Sequence, residues 1–186
     1  GVYVEDGATV TLFNTTVTGN NGSSALYAGA DSTLNLINAT IAGNEAQNFP
    51  GVYFGNANGL FELQNSIIAA NASENSAAIE NYDLHVTGTF AATASLVGAA
   101  TEALQAYNGV NGVLVGSPEA FVDAGFVDEA SNNYALSATS PAVNKGSNRL
   151  IGQAGYYASI LLSGSNVRVV ATDLNGDERL VGGTVD

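Results

Sequence analysis

The residues with the most pointed chemistry are in the run Asp173-Leu-Asn175-Gly-Asp177. Oxygen-bearing side chains alternating around a glycine match the opening of a calcium-binding loop, where hard oxygen donors surround the cation and glycine permits the sharp turn. The match stops at the twelfth position, which is Thr184 where such a loop places a bidentate Glu. Asp173, Asn175 and Asp177 are therefore candidate metal ligands, and calcium is the one cofactor the sequence suggests. The competing reading of the same run is a structural turn.

The other reactive residue types give less. His85 is the only histidine and there is no cysteine, so a nucleophilic triad, a thiolate metal site and a disulfide framework all lack their parts. His85, in the segment DLHVTG, reads as an outward or corner residue of a strand. Asp123, Asp128 and Glu129 lie close together in sequence. They have the residue types of a glycosidase carboxylate pair, but read more simply as a solvated acidic loop. No catalytic residue is assigned.

Charge narrows the partners. Against 17 Asp and Glu stand only Lys145, Arg149, Arg168 and Arg179, for a formal net charge of −13. Phosphate binding is driven by cationic side chains, so nucleic acid is excluded as a partner, and anionic lipid surfaces are disfavoured. A polyuronate lyase needs cations to neutralise the substrate carboxylate, and none of the four lies in the repeats described next. No apolar run reaches the roughly 18 residues of a membrane-spanning helix. With 46% hydrophobic and 11% charged residues over 186 positions, the chain is expected to fold as one structural unit.

The elements that must carry these residues are repeats. Three segments superimpose: VTLFNTTVTGN from Val10, LNLINATIAGN from Leu34 and FELQNSIIAAN from Phe61. Asn14, Asn38 and Asn65 recur at steps of 24 and 27, and Asn20, Asn44 and Asn71 at the same steps. Apolar residues sit four and two positions before the first asparagine and three after it, which is strand periodicity with one buried face. A further short strand precedes each unit, in GVYV, ALYA and GVYF. Three short strands per 24–27 residues leave no room for a crossover helix, so each period is one coil of a β-solenoid.

Stacked coils turn the six asparagines into two ladders, expected to tolerate unusual corner dihedrals and to pass amide hydrogen bonds from coil to coil. Asn14, Asn21, Asn38 and Asn71 also open Asn-x-Ser/Thr patterns. Ladder asparagines beside Thr and Ser produce that pattern without glycosylation, and Asn65 lacks it. Leu84, Val86, Phe90, Leu96 and Val97 suit a fourth, irregular coil. The expected fold is an all-β right-handed parallel β-helix. About three regular coils occupy residues 1–98, and irregular coils with a cap occupy 99–186 of the same unit. The run from Tyr156 to Val170 admits several strand frames.

The repeats, the segments GTFAATASLVG and FVDEASNNYALSATSPAVNKGSN, and the terminal TDLNGDERLVGGTVD together resemble bacterial and archaeal right-handed β-helix repeat proteins with a choice-of-anchor C-terminal region, similar in style to polymorphic outer-membrane proteins. That resemblance implies an exported protein at the cell surface or outside the cell, with the β-helix as its shaft. It also favours a structural role for the Asp173–Asp177 turn. Gly1 already opens a coil, so upstream coils or a covering chain are expected. Family members usually continue beyond the point corresponding to Asp186 into an anchor. The expected function is a non-catalytic scaffold or adhesin-like module, meeting copies of itself, other surface proteins or neutral glycans, and able to self-associate into a filament. The alternative is a carbohydrate-active β-helix enzyme, a hydrolase or lyase.

Overall fold

The computed structural model describes residues 1–55, 58–74, 82–147 and 150, with the backbone of two short strands at 180–181 and 184–185. The first coil holds β1 (Val2–Val4), β2 (Thr9–Phe13), β3 (Thr16–Val17) and β4 (Asn21–Gly22). The second holds β5 (Leu26–Ala28), β6 (Thr33–Ile37), β7 (Thr40–Ile41) and β8 (Glu45–Ala46). The third holds β9 (Val52–Phe54), β10 (Leu60–Gln64), β11 (Ile67–Ile68) and β12 (Ala72–Ser73). A fourth coil supplies β13 (Leu84–Val86), β14 (Thr89–Thr93) and β15 (Leu96–Val97).

Like strands of successive coils pair in parallel, in the orders β1-β5-β9-β13, β2-β6-β10-β14 and β4-β8-β12. The third-strand sheet, β3-β7-β11-β15, is extended by β16 (Leu114–Val115). The chain is thus a parallel β-solenoid of about three turns. Each complete coil has four strands rather than three. The fourth is two residues long and polar, too short to leave a periodic trace.

Registry follows from the inward positions. Val10, Leu34, Phe61 and Phe90 stack in one column and Leu12, Leu36, Leu63 and Ala92 in the next. Leu34, Leu36, Phe61 and Leu63 are fully buried, each contributing roughly 1.5–3 kcal/mol. A one-residue slip would turn every such side chain outward, which is what fixes the pairing. Phe61 packs on Phe54 within its own coil at 5.7 Å and on Phe90 of the next coil at 5.5 Å between ring centroids.

The corners are made by left-handed residues. Gly7 and Asp31 turn the first strand into the second. Asn14, Asn38, Asn65 and Ala94 turn the second into the third, and Gly19, Gly43 and Ala70 the third into the fourth. Asparagine and glycine tolerate positive φ, whereas Ala pays a steric penalty from its Cβ.

Beyond the fourth coil, a 3₁₀ helix (Glu102–Tyr107) packs on the interior through Leu104 and Tyr107, whose hydroxyl donates to Phe90 O at 2.8 Å. The hairpin β17 (Phe126–Asp128) and β18 (Asn133–Leu136) belongs to a segment lying outside the third-strand sheet. There Val122, Ala124, Phe126 and Ala142 cover Ile67, Leu96 and Leu114. The outward column on that sheet is Thr16 and Thr40 in the first two coils and becomes apolar where it is covered. The last pair, β19 (Leu180–Val181) and β20 (Thr184–Val185), is an antiparallel ladder.

Ala94 is the corner residue least suited to its φ of 48°. Ala94→Gly should relieve that strain and stabilise the fold by about 1 kcal/mol. A higher urea midpoint with an unchanged slope is the expected reading, and a lower midpoint would mean that the corner is not strained.

Candidate functional site

The two asparagine registers do different work. Asn14, Asn38 and Asn65 occupy the left-handed corner, and their contribution is conformational. Their backbone N–H groups donate to Ile37 O, Gln64 O and Thr93 O of the next coil at 3.0–3.1 Å. Their side chains form no continuous chain. Asn14 Oδ1 and Asn38 Oδ1 are buried without a hydrogen-bond partner, and Asn65 instead clasps Ser147, donating to its O at 3.0 Å and accepting from its N at 2.8 Å. The rungs at this corner come from the following residue. Ser66 Oγ accepts from Ala39 N at 3.0 Å, and Ser95 Oγ accepts from Ser66 N at 3.1 Å.

Asn20, Asn44 and Asn71 form a continuous amide ladder. Asn20 Nδ2 donates to Asn44 Oδ1 at 2.9 Å and Asn44 Nδ2 to Asn71 Oδ1 at 2.8 Å. The same oxygens accept the backbone N–H of the preceding rung, at 3.1 and 3.2 Å. The second amide hydrogen returns to the turn, with Asn44 Nδ2 near Val17 O and Ala42 O, and Asn71 Nδ2 near Ile41 O and Ala69 O. Asn44 and Asn71 are buried, so each amide meets corner groups that water cannot reach.

The fourth rung is a carboxylate. Asp83 precedes β13 in sequence, yet its side chain lies beneath Asn71. Oδ1 accepts from Asn71 N at 2.9 Å and Asn71 Nδ2 at 2.8 Å, while Oδ2 accepts from Ala99 N at 2.9 Å. Gly98 makes this possible, because a Cβ there would collide with Asp83 Oδ2. Burial pushes the Asp83 carboxyl up to about 6; the hydrogen bonds from Asn71 and Ala99 pull it down, and the negative Glu129 adds to the rise. Glu129 comes from the outer hairpin segment.

The remaining sequence candidates are placed as follows. Asp123 Oδ1 accepts from Gly125 N at 2.7 Å, and Asp128 binds Ser131 through backbone N and hydroxyl, so both serve local turns. His85 faces outward on β13 and stacks on Tyr53 at 5.0 Å and 5°, with Phe49 at 4.5 Å. Tyr53 in turn stacks on Tyr27 at 5.2 Å, and Tyr27 on Tyr3 at 5.4 Å. Among the described residues, no group of three or more His, Asp or Glu gathers as a metal site, and no helix is long and apolar enough to cross a membrane. Asp173, Asn175 and Asp177 lie outside the described residues, as does the Tyr156–Val170 run. Of the two sites that sequence reasoning missed, Asp83 had no periodic signal, whereas the aromatic column did, in the central residue of GVYV, ALYA, GVYF and LHV.

Two substitutions separate these roles. Asn44→Leu strands several buried partners and should cost on the order of 1–3 kcal/mol, read as a lowered denaturation midpoint. For Asp83, the folded chain binds more protons than the unfolded chain between about pH 3.8 and about 6. Its contribution is therefore most favourable below that window and falls as pH rises through it. Relative to Asp83→Asn, the wild type should lose up to about 3 kcal/mol of stability between pH 4 and pH 7. A pH-independent difference would contradict the buried carboxylate.

Compared with known proteins, the chain matches no family model, no curated protein and no solved structure.

Proposed function

We propose that this chain is a non-catalytic scaffold, the shaft of an adhesin-like protein at the cell surface or outside the cell. The carrying observation is the amide ladder from Asn20 to Asp83. It commits the most conspicuous polar residues, including a deeply buried carboxylate, to holding one coil to the next. A buried carboxylate used catalytically needs an approach for substrate. Asp83 instead has both oxygens occupied by Asn71 and Ala99 donors. Parallel coils joined this way form a one-dimensional stack whose length is set by the number of repeats, which suits a spacer.

The likeness of the repeats and C-terminal segments to β-helix proteins with a choice-of-anchor region supports the surface location. The formal charge of −13 keeps such a shaft soluble and away from nucleic acid. Self-association into a filament is a version of the same reading.

Incubation with a panel of neutral and acidic polysaccharides should release no reducing ends and no unsaturated products. Turnover that a single Asp or Glu substitution abolishes would replace this reading with that of a carbohydrate-active enzyme.

A further inference from the structure

Outward positions on the first-strand sheet form one continuous column: Tyr3, Tyr27, Tyr53 and His85, in register from β1 to β13. Centroids are 5.4, 5.2 and 5.0 Å apart, with interplanar angles of 10°, 22° and 5°. Tyr3 is 60% and Tyr27 38% exposed, whereas Phe49 packs against Tyr53 and His85 at 4.9 and 4.5 Å, so the column is open to solvent along its Tyr3–Tyr27 part. Gly55 leaves room for it, since a Cβ there would collide with the Tyr53 ring. Ring stacking between coils would stabilise the fold equally well with Phe. The tyrosines also present hydroxyls, and among the described residues those of Tyr3, Tyr27 and Tyr53 hold no hydrogen bond, whereas Tyr107 and Tyr134 use theirs internally.

A surface that offers aromatic rings together with unused hydroxyls suits an occupant with an apolar face and a polar rim. A pyranose ring is such an occupant: with the ring faces stacked on one another, its C–H groups meet the outward edges of the rings while its hydroxyls reach the tyrosine hydroxyls alongside. Charge selects among glycans. Glu5, Asp6 and Asp31 lie in the turns that follow β1 and β5 beside the column, and Lys145 is the one basic side chain among the described residues. An anionic polymer would be repelled by a chain that carries −13.

We propose that the Tyr3–Tyr27–Tyr53–His85 column binds an uncharged polysaccharide laid along the solenoid axis. The column repeats on the scale of one sugar ring, so successive sugars meet successive coils and affinity accumulates with chain length. This deepens the scaffold reading and rests on it: the shaft itself holds glycan along its side.

The test uses the full chain, titrated calorimetrically with cellohexaose and N-acetylchitohexaose, with hexagalacturonate as the anionic counterpart. The sugars are recovered and sized by mass spectrometry. Binding of at least one neutral hexamer is expected, weaker for its trimer and absent for hexagalacturonate. Tyr27→Ala should weaken it at least tenfold and Tyr27→Phe less, while Val127→Ala on the outer hairpin leaves it unchanged. Circular dichroism melting of each variant confirms that it is folded. No binding by either neutral hexamer, tighter binding of hexagalacturonate, or wild-type affinity in folded Tyr27→Ala would overturn the proposal. Cleaved sugar together with Tyr27-dependent binding would uphold the column and overturn the scaffold reading, so the two fail separately.

Discussion

The structure depends on how it satisfies the backbone N–H groups at its corners. Along each flat face, parallel pairing satisfies the backbone from coil to coil. At a corner the chain turns through a left-handed residue, and the next N–H no longer finds a carbonyl of the neighbouring coil. Left buried and unpaired, each such group would cost on the order of 1–3 kcal/mol, repeated at every turn. The remedy is the same at two corners: a side-chain oxygen of the next coil replaces the missing carbonyl. Ser66 and Ser95 do this for the N–H groups that follow the Asn38 and Asn65 corners, and Asn44, Asn71 and Asp83 do it at the other. Coil spacing, residue choice and the direction of the ladder follow from that requirement.

Direction explains why the last rung is an acid. Every amide in the ladder points its Nδ2 toward the following coil, so donors accumulate in one sense and polarise one another. The terminal residue must accept from Asn71 on one oxygen and from Ala99 N on the other. An asparagine would supply one acceptor and set its NH₂ against the Ala99 N–H. A carboxylate supplies two acceptors, at the cost of desolvation that the raised Asp83 pKa reflects. The acid is thus an end-stop dictated by the polarity of the chain of amides above it.

The repeat length, the inward apolar columns and the parallel stack were legible because each rests on spacing that recurs. The division of labour between the asparagines was not, since one residue type answers two demands, left-handed backbone at Asn14, Asn38 and Asn65 and bidirectional hydrogen bonding at Asn20, Asn44 and Asn71. Alanine at 94 and serine at 66 and 95 separate them, because only the corner tolerates loss of the amide and only the rung needs an oxygen. Asp83 was invisible for a different reason. It is twelve residues from Asn71, far from the 24- and 27-residue steps of the other rungs, and reaches its place from the start of the next coil. The two-residue fourth strands left too little periodicity to read.

Inward positions of a solenoid are dictated by volume and corner positions by backbone geometry, which leaves the outward columns as the places where sequence is free to encode something else. On the third-strand sheet that column changes from Thr16 and Thr40 to Ile67, Leu96 and Leu114, and the apolar part is the part covered by the Val122–Ala142 segment. On the first-strand sheet the column is aromatic throughout, yet Tyr3 and Tyr27 remain exposed. The same chain that covers isoleucine and leucine thus leaves tyrosine in water. Coil-to-coil stacking accounts for the rings but not for the open hydroxyls, and it is this remainder that points outward to a ligand.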